Sequence, residues 1–117
     1  MSTLSTQVID TSLGVAVSGL PIAIERHDGE RWTHLSGTTT NEDGSVTDIL
    51  PDDVHLERGT YRLTFDTGTY FAVNNQTCFY PVVRIVFEVL HHDEHHHLPL
   101  MLSTYGYSTY RTTTRSS

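Results

Sequence analysis

The chain has 117 residues, seven Lys and Arg against fourteen Asp and Glu, and a formal charge of −7. So few and so scattered cations exclude sequence-independent binding of DNA or RNA, which sets clustered Lys and Arg against phosphates. The length fits one domain, 1–117, able to bury about two-thirds of its unfolded surface. Cys78 is the sole cysteine, so no intrachain disulfide forms, in keeping with a reducing compartment. The opening MSTLSTQVIDTS has neither a basic nor an apolar leader region, and no apolar run approaches the roughly 20 residues that span a bilayer. A cytoplasmic protein with no nucleic-acid or membrane partner is expected.

Turn signals recur about every ten residues, the spacing of a sandwich or barrel. Leu4 to Asp10 is a short β-type stretch, and Leu20 to His27 alternates Leu20, Ile22 and Ile24 with Pro21, Ala23 and Glu25. Asp28-Gly29 predicts a hairpin turn into a strand over Arg31 to Thr40, and Asn41-Glu42-Asp43-Gly44 predicts a second tight turn. Thr60 to Asp66 puts Tyr61, Leu63 and Phe65 on one face, the clearest half-buried strand in the chain. Gly68 to Asn75 is the expected short helix. Strands follow at Val82 to Leu90, His95 to Ser103 and Tyr105 to Thr113. The expectation is an all-β, two-sheet antiparallel sandwich of eight strands, seven of them located above, and one short helix.

Three separated segments carry a family resemblance. LSTQVIDTSLG (Leu4 to Gly14) and LPLMLSTYGYSTYR (Leu98 to Arg111) resemble the two signatures of the transthyretin / 5-hydroxyisourate hydrolase family. Between them, TNEDG (Thr40 to Gly44), GTYRLTFDTGTYF (Gly59 to Phe71) and CFYPVVRIVFEV (Cys78 to Val89) agree as well, so the resemblance covers about residues 4–111. It implies a homotetramer built as a dimer of dimers, with small-molecule sites in a channel between the dimers. In the family's hydrolases those sites open the ring of 5-hydroxyisourate in purine breakdown; in transthyretin the channel carries thyroid hormone.

The residues that the resemblance assigns to the site are only partly present. Gln7 stands where the family has a first-strand His, and Ser45 where it has an Arg after the Asp-Gly turn. His97 is retained. Thr112-Thr113 replaces the terminal Gly-Ser, and the chain continues to Ser117. Opening a lactam-like ring needs a base for water, a proton donor for the leaving group and a positive group for the oxyanion. Gln7 cannot take a proton at pH 7, and Ser45 lacks the fixed charge and donor fork of a guanidinium. Strand alternation groups His97, Pro99 and Met101 on one face and Ser108, Tyr110 and Thr112 on a face of the next strand. In the family those faces line the channel, so the resemblance implies His97 and Tyr110 as the acid/base pair, with Gln7, Ser45, Pro99, Met101, Ser108, Thr112 and Thr113 as substrate contacts. Arg111, of opposite parity to Tyr110, is expected in a structural ion pair.

Five of the eight histidines fall between His91 and His97. His91 with His95, or His92 with Glu94, are close enough in sequence to share an ion, but alternation turns His96 away from His95 and His97. No metal and no cofactor is expected. The expected function is that of a diverged family member acting on a cyclic or carbonyl-bearing substrate by hydrolysis, cyclisation or isomerisation. The alternatives are an authentic 5-hydroxyisourate hydrolase with an altered site and a non-catalytic carrier of small ligands.

Overall fold

Short polar side chains at the turns cut the chain into strands. The Asp28 carboxylate accepts the backbone N–H groups of Glu30 and Arg31 at 2.9 and 2.8 Å while Gly29 takes φ 101°. Those two amides hold the Asp28 carboxyl below its usual range. Asn41 closes the next turn the same way, accepting from Asp43 N at 2.9 Å and Ser45 N at 3.0 Å. Gly44 has φ 74°, and a Cβ there would lie 2.5 Å from the Val8 carbonyl oxygen, so only glycine fits so close to the first strand.

The computed structural model describes residues 3–51, 54–91 and 93–115. Its elements in chain order are β1 (Thr3–Asp10), β2 (Val15–Ala16), β3 (Pro21–His27), β4 (Trp32–Thr39), β5 (Ser45–Val46), β6 (Gly59–Phe65), α1 (Thr67–Val73), β7 (Val83–Val89), β8 (Glu94–Leu102), β9 (Tyr107–Thr109) and β10 (Thr112–Arg115). One sheet runs β10-β8-β1-β2, with β5 also paired to β1 and β9 to β8; the other runs β4-β3-β6-β7.

The all-β, two-sheet architecture with one short helix matches the expectation, with ten strands among the described residues in place of eight. The added ones are short. β2 and β5 have two residues each, too few to show an alternation. The segment expected as one strand from Tyr105 to Thr113 is split into β9 and β10. Both halves keep one register against β8, Met101 opposite Ser108 and His97 opposite Thr112. The gap falls opposite Pro99, which has no N–H to donate to the ladder. One pairing departs from the antiparallel expectation: β1 and β8 run parallel from Thr3 opposite His95 to Asp10 opposite Leu102.

The core lies between the sheets. Leu4, Val8, Leu98 and Leu100 from one meet Ile22, Ile24, Leu63 and Phe65 from the other, all nearly inaccessible. Each such side chain contributes about 1.5–3 kcal/mol by leaving water. α1 is capped by Asp66, whose carboxylate accepts from Thr69 N and Thr69 Oγ1.

A polar cluster closes one end of this core. Glu94 and His96 of β8 are buried on the inward face. Thr113 Oγ1 donates to Glu94 Oε2 at 2.8 Å, and Arg111 Nη1 lies 3.9 Å from the same oxygen, the ion pair expected of Arg111. His96 Nε2 has no hydrogen-bond partner among the described residues. Burial lowers the His96 pKa, outweighing the Glu94 carboxylate, which raises it; Arg111 and His95 lower it further. A folded-state pKa below the unfolded value means that the unfolded chain binds the proton first. His96 therefore withdraws nothing above about pH 6.5 and progressively destabilises the fold as pH falls below that value. Thermal unfolding midpoints measured from pH 8 to pH 5 should fall on the acid side. In His96→Phe that fall should be shallower.

Candidate active site

The parallel pairing of β1 with β8 decides which side chains share the outer face of the larger sheet. Ser5 lies opposite His97, Gln7 opposite Pro99 and Ile9 opposite Met101. The flanking strands add Ser45 opposite Gln7, Ser108 opposite Met101 and Thr112 opposite His97. Cross-strand partners project to the same side of a sheet. Gln7, Ser45, His97, Pro99, Met101, Ser108 and Thr112, expected together, thus occupy one face. A concavity of about 380 Å³ opens at its end beside Met101 and Ser108.

Of the two remaining expected residues, Tyr110 keeps the expected face and Thr113 does not. Tyr110 lies between β9 and β10 and is 55% exposed; the register shared by those strands sets it opposite Pro99. Thr113 is paired with His96, not His97, and its hydroxyl is bonded to Glu94 in the inward cluster. Thr113 therefore belongs to the core side, because one step along a strand reverses the face.

The site residues are held from behind. Gln7 Nε2 donates to the Asp43 carbonyl at 3.3 Å, tying its amide to the Asn41–Gly44 turn. That turn is fixed to β1 by Val8 N donating to Gly44 O at 2.8 Å. Pro99 is buried, and its carbonyl accepts from Thr109 Oγ1 at 2.7 Å. His97 is half-buried, and its Nδ1 is 2.8 Å from Ser5 Oγ. The same oxygen is 2.9 Å from His95 Nε2, and Thr3 Oγ1 reaches His95 Nδ1. Alternation in the sequence places His95 beside His97 but does not reveal Ser5. The clue is parity: Ser5 precedes Gln7 by two residues and so shares its face.

The histidine run divides as alternation requires. His95 and His97 face outward and His96 inward; His92 lies outside the described residues. No three His, Cys, Asp or Glu side chains among the described residues come together as a metal site, and no described helix is long and apolar enough to cross a membrane.

A second concavity, of about 360 Å³, lies between the β1–β2 turn and α1, lined by Leu13, Val15, Tyr70 and Val73 among others. Its titratable group is Tyr70, whose hydroxyl donates to Asp10 Oδ2 at 2.7 Å. Burial first, and then Asp10, pushes the Tyr70 pKa well above its usual value. A phenol so held has no useful proton chemistry near neutrality, so this concavity lacks an acid/base group.

The fold and this face define a two-sheet β protein with a histidine-centred polar surface on one sheet. The sequence profile of the HIUase/Transthyretin family matches residues 4–112, and the chain belongs to that family. It is 35% identical over 108 residues to the 5-hydroxyisourate hydrolase of Salmonella dublin, covering 92% of this chain and 79% of that protein. It is 37% identical over 112 residues to the 5-hydroxyisourate hydrolase of Mus musculus, covering 94% of each. Among solved structures, Klebsiella pneumoniae 5-hydroxyisourate hydrolase superposes with a TM-score of 0.82 at 31% identity, covering 94% of this chain and 98% of that one.

Proposed function

We propose that the chain is an enzyme acting on a small cyclic, carbonyl-bearing molecule by acid/base chemistry, with His97 as the proton-transferring group. The observation that carries this reading is the setting of His97, half-buried on the outer face with Nδ1 fixed by Ser5 and Nε2 left for a ligand. An imidazole titrates near neutrality and can both take and give a proton there. Gln7, Ser45, Pro99, Met101, Ser108 and Thr112 surround the same face, and Tyr110 stands at its edge. Gln7 and Tyr110 would orient a carbonyl or ring nitrogen by hydrogen bonds.

Because Gln7 and Ser45 replace an imidazole and a guanidinium, efficient hydrolysis of 5-hydroxyisourate is not the proposed reaction. Loss of such a group costs about 10²–10⁴ in rate. Ultraviolet decay of 5-hydroxyisourate, generated with urate oxidase, should proceed at close to its uncatalysed rate with this protein present. Cyclic ureides such as hydantoin and dihydrouracil are the next substrates to offer. Ring opening of one of them should fall about 10²-fold or more in His97→Ala and persist in His55→Ala. Full turnover by His97→Ala would overturn the assignment. The relatives named 5-hydroxyisourate hydrolase favour a second reading, an authentic hydrolase with an altered site. Decay of 5-hydroxyisourate at a typical enzymatic rate would select it.

The same reading includes a homotetramer, a dimer of dimers, that would roof the sheet face into a channel. Closed self-complementary interfaces give such an assembly. Val82 and Val86, exposed on and beside the edge strand β7, and Leu13 and Val15 near the β1–β2 turn, are apolar surface for it to cover. Light scattering at micromolar concentration should return the mass of four chains. The mass of one chain would remove the channel.

A further inference from the structure

Four side chains on the outer face form one unbroken hydrogen-bonded line. Thr3 Oγ1 meets His95 Nδ1, His95 Nε2 is 2.9 Å from Ser5 Oγ, and Ser5 Oγ is 2.8 Å from His97 Nδ1. The line follows from the parallel register, which sets Thr3 opposite His95 and Ser5 opposite His97 on neighbouring strands. Ser5 is buried and sits between the two rings.

A serine hydroxyl has one proton to donate, and a neutral imidazole has one N–H and one bare nitrogen. A continuous line can therefore run in only two senses. In the first, Thr3 donates to His95 Nδ1, His95 Nε2–H to Ser5, and Ser5 to His97 Nδ1, so both rings carry the proton on Nε2. In the second, His97 Nδ1–H donates to Ser5, Ser5 to His95 Nε2, and His95 Nδ1–H to Thr3, so both carry it on Nδ1. The first presents His97 Nε2 as an acid and the second presents it as a base.

We propose that Ser5 and His95 form a proton relay behind His97, so that the two imidazoles act as one acid/base unit. This rests on the reading of His97 as the proton-transferring group. Starting in the second sense, His97 Nε2 takes a proton from water or substrate. The Nδ1 proton of His97 passes to Ser5 Oγ, and the hydroxyl proton of Ser5 passes to His95 Nε2. One proton has entered and each internal one has moved by one bond; the positive charge now resides on His95. His97 is neutral again and bears Nε2–H, ready to protonate a leaving group, after which the reverse shift restores the start. Gln7, which lies on the same face and cannot take a proton, leaves acid/base chemistry with one contacting imidazole; His95 supplies the second through Ser5. Ser5 and His95 are positioning and relay residues, since neither is required to touch substrate.

Among the described residues the groups around the pair are few. On the outer face, Thr3, Ser5 and Gln7 come from β1 and Thr112 from β10, while Tyr110 stands opposite Pro99. Glu94 and His96 of β8 point to the inward face, and Arg111 pairs with Glu94. Ion-pair charge thus lies across the sheet from the relay.

The test is read on the protein without substrate, so it fails or succeeds separately from the proposed reaction. Full-length protein labelled with ¹⁵N-histidine is titrated by NMR from pH 8.5 to pH 5, with His95→Gln and His97→Gln used to assign the rings. The neutral rings should occupy the same tautomer. Uptake of the first proton should move the nitrogen shifts of both rings together, each by a partial amplitude. In Ser5→Ala the two rings should titrate independently, each with full amplitude, and Ser5→Thr should restore the shared step. Opposite tautomers in the wild-type protein would mean that Ser5 merely accepts from both rings, and would overturn the relay. Independent titration in the wild-type protein, or shared titration that survives Ser5→Ala, would overturn it equally.

Discussion

Eight consecutive residue pairs join β1 to β8 in parallel, from Thr3 opposite His95 to Asp10 opposite Leu102. This seam is the constraint on which the remaining structure depends. Its inward residues, Leu4, Val8, Leu98, Leu100 and Leu102, are one wall of the core, and its outward residues are the candidate site. A slip of one residue would send Ser5, Gln7 and His97 into the core and the leucines into water. Hydrophobic burial on one face thereby fixes the geometry of polar groups on the other. A parallel pair also needs a long connection, and here the whole four-stranded sheet and α1 lie between the two strands in sequence.

Turn chemistry supports the seam at its edge. The Asn41–Gly44 turn brings Ser45 opposite Gln7, and the Gly44 carbonyl accepts from Val8. The near contact that a Cβ at residue 44 would make with the Val8 carbonyl shows how closely this turn is packed on β1. On the other side Pro99 interrupts the ladder to β9 and β10, so that Tyr110 and Arg111 leave regular pairing. The outer face is thus bounded by one tight turn and one local break, both written in single residues.

Much of the fold was legible in the sequence because burial on one face imposes alternation. Tyr61, Leu63 and Phe65 announce β6, and Ile22 and Ile24 announce β3. β2 and β5 left no such signal, since two residues cannot show a period. The parallel sense of the seam was not legible, because long-range pairing has no local signature. The site was legible in outline: parity and family resemblance brought Gln7, His97, Pro99, Met101, Ser108 and Thr112 to one surface. Thr113 was grouped with them by its place in the terminal motif, whereas its parity directs it to Glu94. Parity puts Ser5 on the face of Gln7, but a serine in a β-strand has no pattern that marks it as functional. Its role emerges only when His95 and His97 arrive from the other end of the chain.

Membership of the HIUase/Transthyretin family does not by itself fix the chemistry of the outer face. The backbone that presents the face is set by core leucines and turn glycines, while the chemistry is set by a few outward side chains that the core does not constrain. The central claim is that the outward face of the β1–β8 seam is where a small cyclic molecule binds. A crystal structure of the protein with uric acid, a stable planar ring bearing carbonyls and ring N–H groups, tests this most directly. The account predicts the ring within hydrogen-bond distance of His97 Nε2 and the Gln7 amide. A ring bound in the concavity beside Tyr70, with the face around His97 left to solvent, would contradict it.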